Sequence, residues 1–301
     1  MRILVTGSEG NIGCELVPYL RSLSHDVLRV DIVSLHEDDY IQWDIKYPCS
    51  SSIIDSFKPE FVYHMAGFVS RVTCEKEAQL AIDTNVTGTN NVIQICKKYG
   101  ASLINFSTSE VYGNTNEIMS EKLTPNPNNR YGISKYLAEQ LVDYEIKNYG
   151  LSCVTVRPFM IYGGNEVIGN HRSAIIRFVS DLYAGRDIKV HSGSRRSWMH
   201  IDDAMVAFSR LLNTDFSLIK YNVINIGHPK VVKMSTVAKF IAHGLGIDND
   251  LIKFKKLPDR MTLTKIPDLF FQENILKFTP SIDVWSGINR VIKRIKKEMY
   301  Q

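Results

Sequence analysis

The chain has 301 residues, 36 Lys plus Arg against 32 Asp plus Glu, and 44% hydrophobic residues. A chain of this length buries about three quarters of its unfolded surface, and the composition is globular, neither disordered nor fibrous. A net charge of +4 is too mild to argue for a nucleic-acid partner, and no apolar run reaches the ~20 residues needed to cross a bilayer.

The N-terminal run Met1 to Gly7 is apolar for too short a distance to be a signal peptide. Cys14, Cys49, Cys74, Cys96 and Cys153 are odd in number and form no C-x-x-C pair. The expectation is a reduced, cytoplasmic protein with no cysteine-based metal site.

In chain order, Ile3 to Thr6 reads as a strand and Asn11 to Leu23 as a helix with Ile12, Leu16, Leu20 and Leu23 on one face. Val27 to Asp31 and Phe61 to His64 are further strands, and Asn85 to Lys98 is helical. Ser102 to Ser107 and Cys153 to Arg157 continue the strand series, with a helix from Tyr131 to Lys147 between them. Strand and helix taking turns at this spacing give βαβ units, hence an α/β doubly wound parallel sheet of the Rossmann type. Beyond residue 163 the alternation loosens: helices at Ala174 to Ala184 and Ile201 to Leu212, strands at Ile188 to Val190 and Tyr221 to Ile226, then short helices at Val237 to Gly244 and Trp285 to Lys297. The expected division is a dinucleotide-binding domain at 1–163, with 201–226 returning to it. A smaller substrate-binding lobe takes 164–200 and 227–301 and closes over the carboxyl ends of the strands. In the last helix Ile288, Val291, Ile292 and Ile295 form an apolar face, so its lysines read as a solvated side and not as a polyanion site.

The first strand runs into Gly7-Ser8-Glu9-Gly10-Asn11-Ile12-Gly13. Glycines at this spacing, between a strand and an amphipathic helix, allow a tight turn, close backbone approach to a pyrophosphate and close helix packing. The N–H groups that open the helix then face phosphate charge. Asp31 ends the second strand, where a carboxylate binds the adenosine ribose hydroxyls and repels a 2′-phosphate. Ile32 and Val33 bring no arginine, so NAD is expected over NADP. Asp44 and Ile45 are placed to cap the adenine amino group.

Tyr131-Gly132-Ile133-Ser134-Lys135 puts a tyrosine and a lysine four apart on one helix face. The ammonium is expected to lower the phenol pKa and make a base available near neutral pH. Ser107-Thr108-Ser109-Glu110-Val111-Tyr112-Gly113 follows a buried strand and would add hydroxyls beside that phenol.

These motifs, with His64-Met65-Ala66-Gly67, Asn85 and Arg157-Pro158-Phe159 in register, resemble the extended short-chain dehydrogenase/reductase superfamily in its nucleotide-sugar epimerase/dehydratase branch, from residue 1 to about 290. The resemblance implies a tightly held NAD that oxidises a sugar carbinol, usually at C4. It makes Tyr131 the base, Lys135 the residue that orients it and holds the nicotinamide ribose, and Thr108 a partner of the reacting oxygen. Pro158 and Phe159 would line the nicotinamide pocket, and His64, Ala66, Gly67, Asn85 and Ser107 would belong to the cofactor channel.

Thr108-Ser109-Glu110 resembles the segment of nucleotide-sugar 4,6-dehydratases and of UDP-glucuronate decarboxylases. In the dehydratases the glutamate takes the C5 proton, so 4,6-dehydration through a transient 4-keto sugar is the leading expectation. The alternatives are a 4-epimerase, a decarboxylase, a 4-ketoreductase, or a non-catalytic NAD-binding regulator on the same fold. Two departures from the family pattern lie on the substrate side: Met160 where an asparagine is usual, and Tyr162-Gly163-Gly164 where a proline usually follows the Tyr-Gly pair. Arg196 matches the arginine that approaches the substrate phosphates, a role suited to its two-pronged fork, and Arg260 resembles a late arginine that closes on the diphosphate. Arg195 reads equally well as a solvated charge. Asp202 and Asp203 would cap the following helix. The family usually dimerises through two helices per subunit, here Thr84 to Tyr99 and Tyr131 to Lys147. The expected partners are therefore a nucleoside-diphosphate sugar and a second copy of the chain, with no metal.

Overall fold

The structure, a computed structural model, describes residues 1–115, 117–169, 173–258 and 261–299. A seven-stranded sheet forms its centre: β1 (Arg2–Thr6), β2 (Asp26–Asp31), β3 (Tyr40–Gln42), β4 (Phe61–His64), β5 (Ser102–Phe106), β6 (Cys153–Pro158) and β7 (Val223–Ile226). Its spatial order is β7-β6-β5-β4-β1-β2-β3, and every neighbouring pair is parallel. The order reverses at β1, between β4 and β2, which in such sheets is where a ligand crevice opens at the carboxyl ends of the strands.

Alternation along each strand divides the core. Ile3 and Val5 join Tyr63, Phe106, Val156 and Ile226 under α1 (Gly13–Ser22) and the helix Ile201–Arg210. Leu4 instead joins Leu28, Val62 and Leu103 beneath α2 (Gly88–Tyr99) and α3 (Arg130–Tyr149). Buried on both faces, the strands are near-continuous apolar runs, as parallel sheets require. Register brings Thr6 beside Val30 and His64, His64 beside Asn105, and Pro158 beside Ile226, so the residues that follow these strands emerge along one rim.

A separate apolar cluster gathers α4 (Ala174–Tyr183), α6 (Met234–Leu245) and α7 (Val284–Met299), taking α5 as Ile201–Arg210, with the paired strands Ile188–His191 and Ile252–Lys255. Ile288, Val291, Ile292 and Ile295 are all buried in it, so the basic side of α7 is the outer one. Among the described residues no helix is long and apolar enough to cross a membrane, and all five cysteines are free thiols.

Asp202 and Asp203 do not cap α5. Its N-cap is His200, whose side chain accepts from the Asp202 amide. Asp203 receives the Ser281 and Ile282 amides, and Asp202 pairs with Arg290. These acids tie α5 to α7 and to the residues just before it, because His200 takes the cap and leaves their oxygens free to reach across.

Candidate active site

The glycine turn is held from both sides. The Gly7 amide donates to Val30 O at 2.8 Å, and Gly7 has φ +74°, a conformation that favours glycine. A Cβ on Gly13 would stand 2.2 Å from Gly7 O, and one on Gly7 2.6 Å from the Ala66 amide nitrogen. Backbone therefore occupies the space a side chain would need. No side chain caps the start of α1, so its positive end faces the turn that carries Gly10, Asn11 and Ile12. Asp31 accepts the Glu9 amide at 2.9 Å and the Ile32 amide at 2.7 Å, which fixes its carboxylate at the rim. The nearby Arg29 is engaged by Glu37 and Asp39, leaving it committed to acids. This cradle, together with a buried Ser107 hydroxyl that has no hydrogen-bond partner among the described residues, fits a dinucleotide with a free ribose 2′-hydroxyl.

Several residues expected on the cofactor have their side chains engaged by the protein itself. His64 is fully buried, with Nδ1 2.8 Å from Thr6 Oγ1 and Nε2 3.0 Å from Thr89 Oγ1. Thr89 donates its own proton to Asn85 O, so the ring donates from Nε2 and accepts at Nδ1. Burial first, and the Lys135 charge second, hold its pKa down to about 3. The neutral ring has no atom left for a ligand. Asn85, also buried, clamps Phe68 through both its amide groups and donates to Ser134 Oγ at 2.8 Å. Ile45 packs against Gly88, and Asp44 is turned to Lys46. The Phe159 ring is sealed with Val111, Tyr112 and Met119, so its side chain braces the turn after β5 and is not available to line a pocket. Pro158 is half-buried, and a Cβ on Gly67 would stand 3.0 Å from Asn85 Oδ1 and 3.9 Å from Lys135 Nζ.

Tyr131 and Lys135 share a face of α3, whose N-cap Asn129 accepts the Gly132 amide at 2.9 Å. The Thr108 side chain acts on the Tyr131 phenol and lowers its pKa, which accords with the hydroxyls expected beside that phenol. Lys135 is buried, and burial lowers its pKa to about 8 against the opposing pull of Glu139. The phenol does not behave as expected from the lysine alone. Burial raises its pKa above the ordinary 10, Glu110 adds to the rise, and the Thr108 hydrogen bond opposes it. Desolvation of a phenolate outweighs an ammonium one turn away.

Glu110 departs most from the sequence reading. Burial would raise its pKa, but the Lys265 and Arg71 charges and hydrogen bonds from Lys265 and Asn129 bring it down to about 2. Lys265 Nζ contacts its Oε1, Asn129 Nδ2 lies 3.1 Å from Oε2, and Arg71 Nε lies 3.6 Å from the same oxygen. Ser109 has no exposed surface, and its hydroxyl faces Lys265 at 3.4 Å, so it supports this pair and cannot touch a substrate. A folded-state pKa below the ordinary 4.5 means that Glu110 adds stability above that pH and loses it as pH falls toward about 2. Acid denaturation of Glu110→Gln is expected to lack that part of the decline; a curve that keeps the wild-type slope between these pH values would contradict the pairing.

Lys265, Arg71 and Asn129 were not foreseen. Asn129 carried a signal, as a cap residue at a helix start. Lys265 carried none: the strand Thr264–Lys265, pairing with Arg195–Ser197, brings it in from a stretch with no periodicity. Arg196 lies in that partner strand, its guanidinium donating to the carbonyls of Arg195, Thr262 and Leu263. Arg195 is exposed. Met160 packs against the third apolar cluster. Gly163 and Gly164 have φ +101° and +60°; a Cβ on Gly164 would strike Glu15, whose Oε1 accepts the Asn165 amide at 2.6 Å. The second glycine thus lets α1 dock the loop after β6. Arg260 lies outside the described residues.

A parallel sheet, a glycine turn after β1 and a tyrosine–lysine pair on α3 define a Rossmann-fold protein of the short-chain dehydrogenase/reductase type. The chain matches the NAD dependent epimerase/dehydratase family over residues 3–227 and belongs to that family. It is 26% identical to a putative UDP-glucose 4-epimerase of Methanocaldococcus jannaschii, over 98% of both chains. It is 29% identical to UDP-glucuronic acid decarboxylase 6 of Arabidopsis thaliana, over 96% of this chain and 87% of the plant protein. The crystal structure of UDP-glucose 4-epimerase from Thermotoga maritima, solved with UDP-glucose, superposes with a TM-score of 0.88 at 22% identity, covering 99% of this chain and all of that one. The protein is an NAD-dependent enzyme of the nucleotide-sugar epimerase/dehydratase class.

Proposed function

We propose that the enzyme oxidises the C4 carbinol of a nucleoside-diphosphate sugar to a transient ketone. The observation that carries this reading is Tyr131 and Lys135 on one face of α3, with the Thr108 side chain close enough to act on the Tyr131 phenol. Residues 1–163 with 201–226 would hold the cofactor, and 164–200 with 227–301 the sugar nucleotide. NAD, when bound, accepts the hydride. Tyr131 takes the carbinol proton, Thr108 hydrogen-bonds the same oxygen, and Lys135 positions both the phenol and the cofactor ribose. Gly7, Gly10, Asn11, Ile12, Gly13, Asp31 and Ser107 are the proposed cofactor contacts, and Arg196 is the proposed diphosphate contact. Both relatives named above, the epimerase and the decarboxylase, carry a UDP-sugar in their names, which makes UDP the first nucleotide to offer.

For the step after oxidation, a glutamate with a pKa near 2 is a weak acceptor for the C5 proton. The 4,6-dehydration suggested by Thr108-Ser109-Glu110 would require Glu110 to shed Lys265. Decarboxylation of a uronic acid sugar, or return of the hydride to the other face, needs no carboxylate base at C5, and the geometry favours these two continuations. Incubation with UDP-, GDP-, CDP- and dTDP-sugars followed by mass spectrometry separates them: loss of carbon dioxide, an isomer of unchanged mass, or loss of water. Loss of water as the main outcome would overturn the preference, and no turnover of any sugar nucleotide would overturn the reading.

The homodimer belongs to the same proposal. Ile133, Leu137 and Tyr144 are 42%, 44% and 52% exposed on one face of α3, a spacing of helical neighbours and an apolar stripe suited to a helix of a second copy. Leu137→Glu is expected to convert a dimer to a monomer in sedimentation experiments; an unchanged sedimentation coefficient would place the interface elsewhere. A cytoplasmic setting accords with the five free thiols.

A further inference from the structure

The mechanism leaves Lys265 without a part. The residue is only 2% exposed, its ammonium contacts Glu110 Oε1, and Ser109 Oγ lies 3.4 Å away. The strand that carries it, Thr264–Lys265, is two residues long, too short to fix a side chain by its own pairing. The chain on either side is stitched down instead. Before Lys265, Thr262 Oγ1 donates to Gly113 O at 2.8 Å. After it, Ile266 O accepts the Met119 amide at 2.8 Å, and the Asp268 amide donates to Met119 O at 3.0 Å. Asn225 on β7, with no exposed surface, closes the knot. Its Nδ2 donates to Met119 O at 2.8 Å and to Asp268 O at 3.2 Å, and its Oδ1 accepts the Tyr112 hydroxyl at 2.7 Å. One asparagine thus ties the turn two residues after Glu110 to the chain three residues after Lys265. Withdrawing Lys265 from Glu110 would mean leaving several of these buried groups unpaired.

Glu110 stands beside the proposed oxidation pair. Its amide donates to Thr108 Oγ1 at 3.2 Å. Asn129, which holds its Oε2, also accepts the Gly132 amide at the start of α3, next to Tyr131. A Cβ on Gly132 would stand 2.8 Å from Glu110 O. A ketone at C4 acidifies the C5 hydrogen beside it, so a carboxylate at this place is a base in waiting. With Lys265 at one oxygen and Asn129 and Arg71 at the other, its anion is the favoured form and gains little by taking a proton.

We propose that Lys265 is a specificity-determining residue acting through Glu110: strapped onto that carboxylate, it keeps the C5 proton of the 4-keto sugar in place. The inference rests on the reading of Tyr131 and Lys135 as the C4 oxidation pair. Without the cation, Glu110 takes the C5 proton and the C–H electron pair moves into the C4 carbonyl, giving an enolate. Return of a proton to C5 restores the ketone, and in D2O that proton is a deuteron. Loss of the lysine does not strand a lone charge, because Arg71 and Asn129 stay on Oε2. The Glu110 pKa then rises towards the operating pH, where a carboxylate is a more effective base.

The test offers UDP-glucose, dTDP-glucose, GDP-mannose and UDP-glucuronate to the NAD-loaded enzyme in buffered D2O. Hydride transfer is read from the absorbance of reduced nicotinamide, and C5 deuterium by NMR and mass spectrometry. UDP-glucuronate is read in recovered substrate, since loss of carbon dioxide itself brings a solvent proton to C5. Wild type is expected to transfer hydride and leave C5 unlabelled. Lys265→Met should raise C5 labelling by about tenfold or more, Glu110→Gln/Lys265→Met should abolish the gain, and Lys265→Arg, which keeps the charge, should stay as silent as wild type. If Lys265→Met does not fold, Lys265→Gln keeps a donor without the charge and should show the same gain. A merely structural lysine would move none of these labels. Wild type that labels C5 as fast as it transfers hydride would overturn the proposal and leave the oxidation reading standing. So would folded neutral variants that show no gain or no longer transfer hydride, or a gain that survives the loss of Glu110. No hydride transfer from any of the four in wild type would overturn the oxidation reading and the proposal with it.

Discussion

Tyr131→Phe is expected to lower kcat for C4 oxidation by about a thousandfold while leaving KM nearly unchanged, within the 10²–10⁴-fold span typical of a positioned acid or base. In the proposed mechanism the hydroxyl is the one atom of this residue that meets the reacting carbinol, and the Thr108 side chain acts on the same phenol. Thr108 keeps its partner in the variant, since its Oγ1 accepts the Glu110 amide at 3.2 Å. The turn at Ser109–Tyr112 therefore survives, and substrate binding with it. The effect falls on the chemical step, which steady-state and single-turnover rates measure together. A variant within tenfold of wild type would remove Tyr131 from the proton transfer.

Gly13→Ala is the second large effect. The added methyl would stand 2.2 Å from Gly7 O and 2.7 Å from Ser8 Cα, and both obstacles are backbone, so no rotamer change relieves the clash. Overpacking of this kind costs about 1–3 kcal/mol, which at 1.4 kcal/mol per decade is about five- to a hundredfold in the Kd for NAD. Calorimetry with NAD would read the loss, and thermal unfolding of the free protein would read the accompanying strain. Gly100→Ala serves as the comparison: its φ is +68° but no atom lies within 4 Å of the added Cβ, so it should cost stability with no change in NAD affinity.

The sheet was readable because its strands are buried on both faces. Phe61 to His64 is an apolar run closed by Pro59 and Glu60 on one side and by the Ala66-Gly67 turn on the other, and it forms β4 with those bounds. The helix read from Asn85 begins earlier, at Ala78, and passes through a π-turn at Asp83–Thr87, where the Asn85 carbonyl takes the Thr89 hydroxyl; that wider turn leaves no mark in hydrophobic period. The glycine turn, Asp31 and the tyrosine–lysine pair were readable for a related reason, since each answers a demand set by local backbone or helix geometry. Residues whose neighbours come from distant segments were not. His64 and Asn85 carry family-like identities, yet their hydrogen bonds turn them into the protein. Glu110 was assigned the chemistry of a free carboxylate because nothing near it in sequence is a cation, and only the pairing of Thr264–Lys265 with Arg195–Ser197 delivers Lys265 to it. The raised Tyr131 pKa has the same origin: spacing along a helix shows the lysine, while burial depends on the whole site.

Transfer of hydride from sugar C4 is the step on which the account depends, and isotopic labelling follows it most directly. A UDP-sugar carrying deuterium at C4 is mixed with the NAD-loaded enzyme, the reaction is quenched within one turnover, and the cofactor is weighed by mass spectrometry. Deuterium on the reduced nicotinamide, absent in Tyr131→Phe, is the predicted result. Product formed with all deuterium still on the sugar and none on the cofactor at any time point would contradict it.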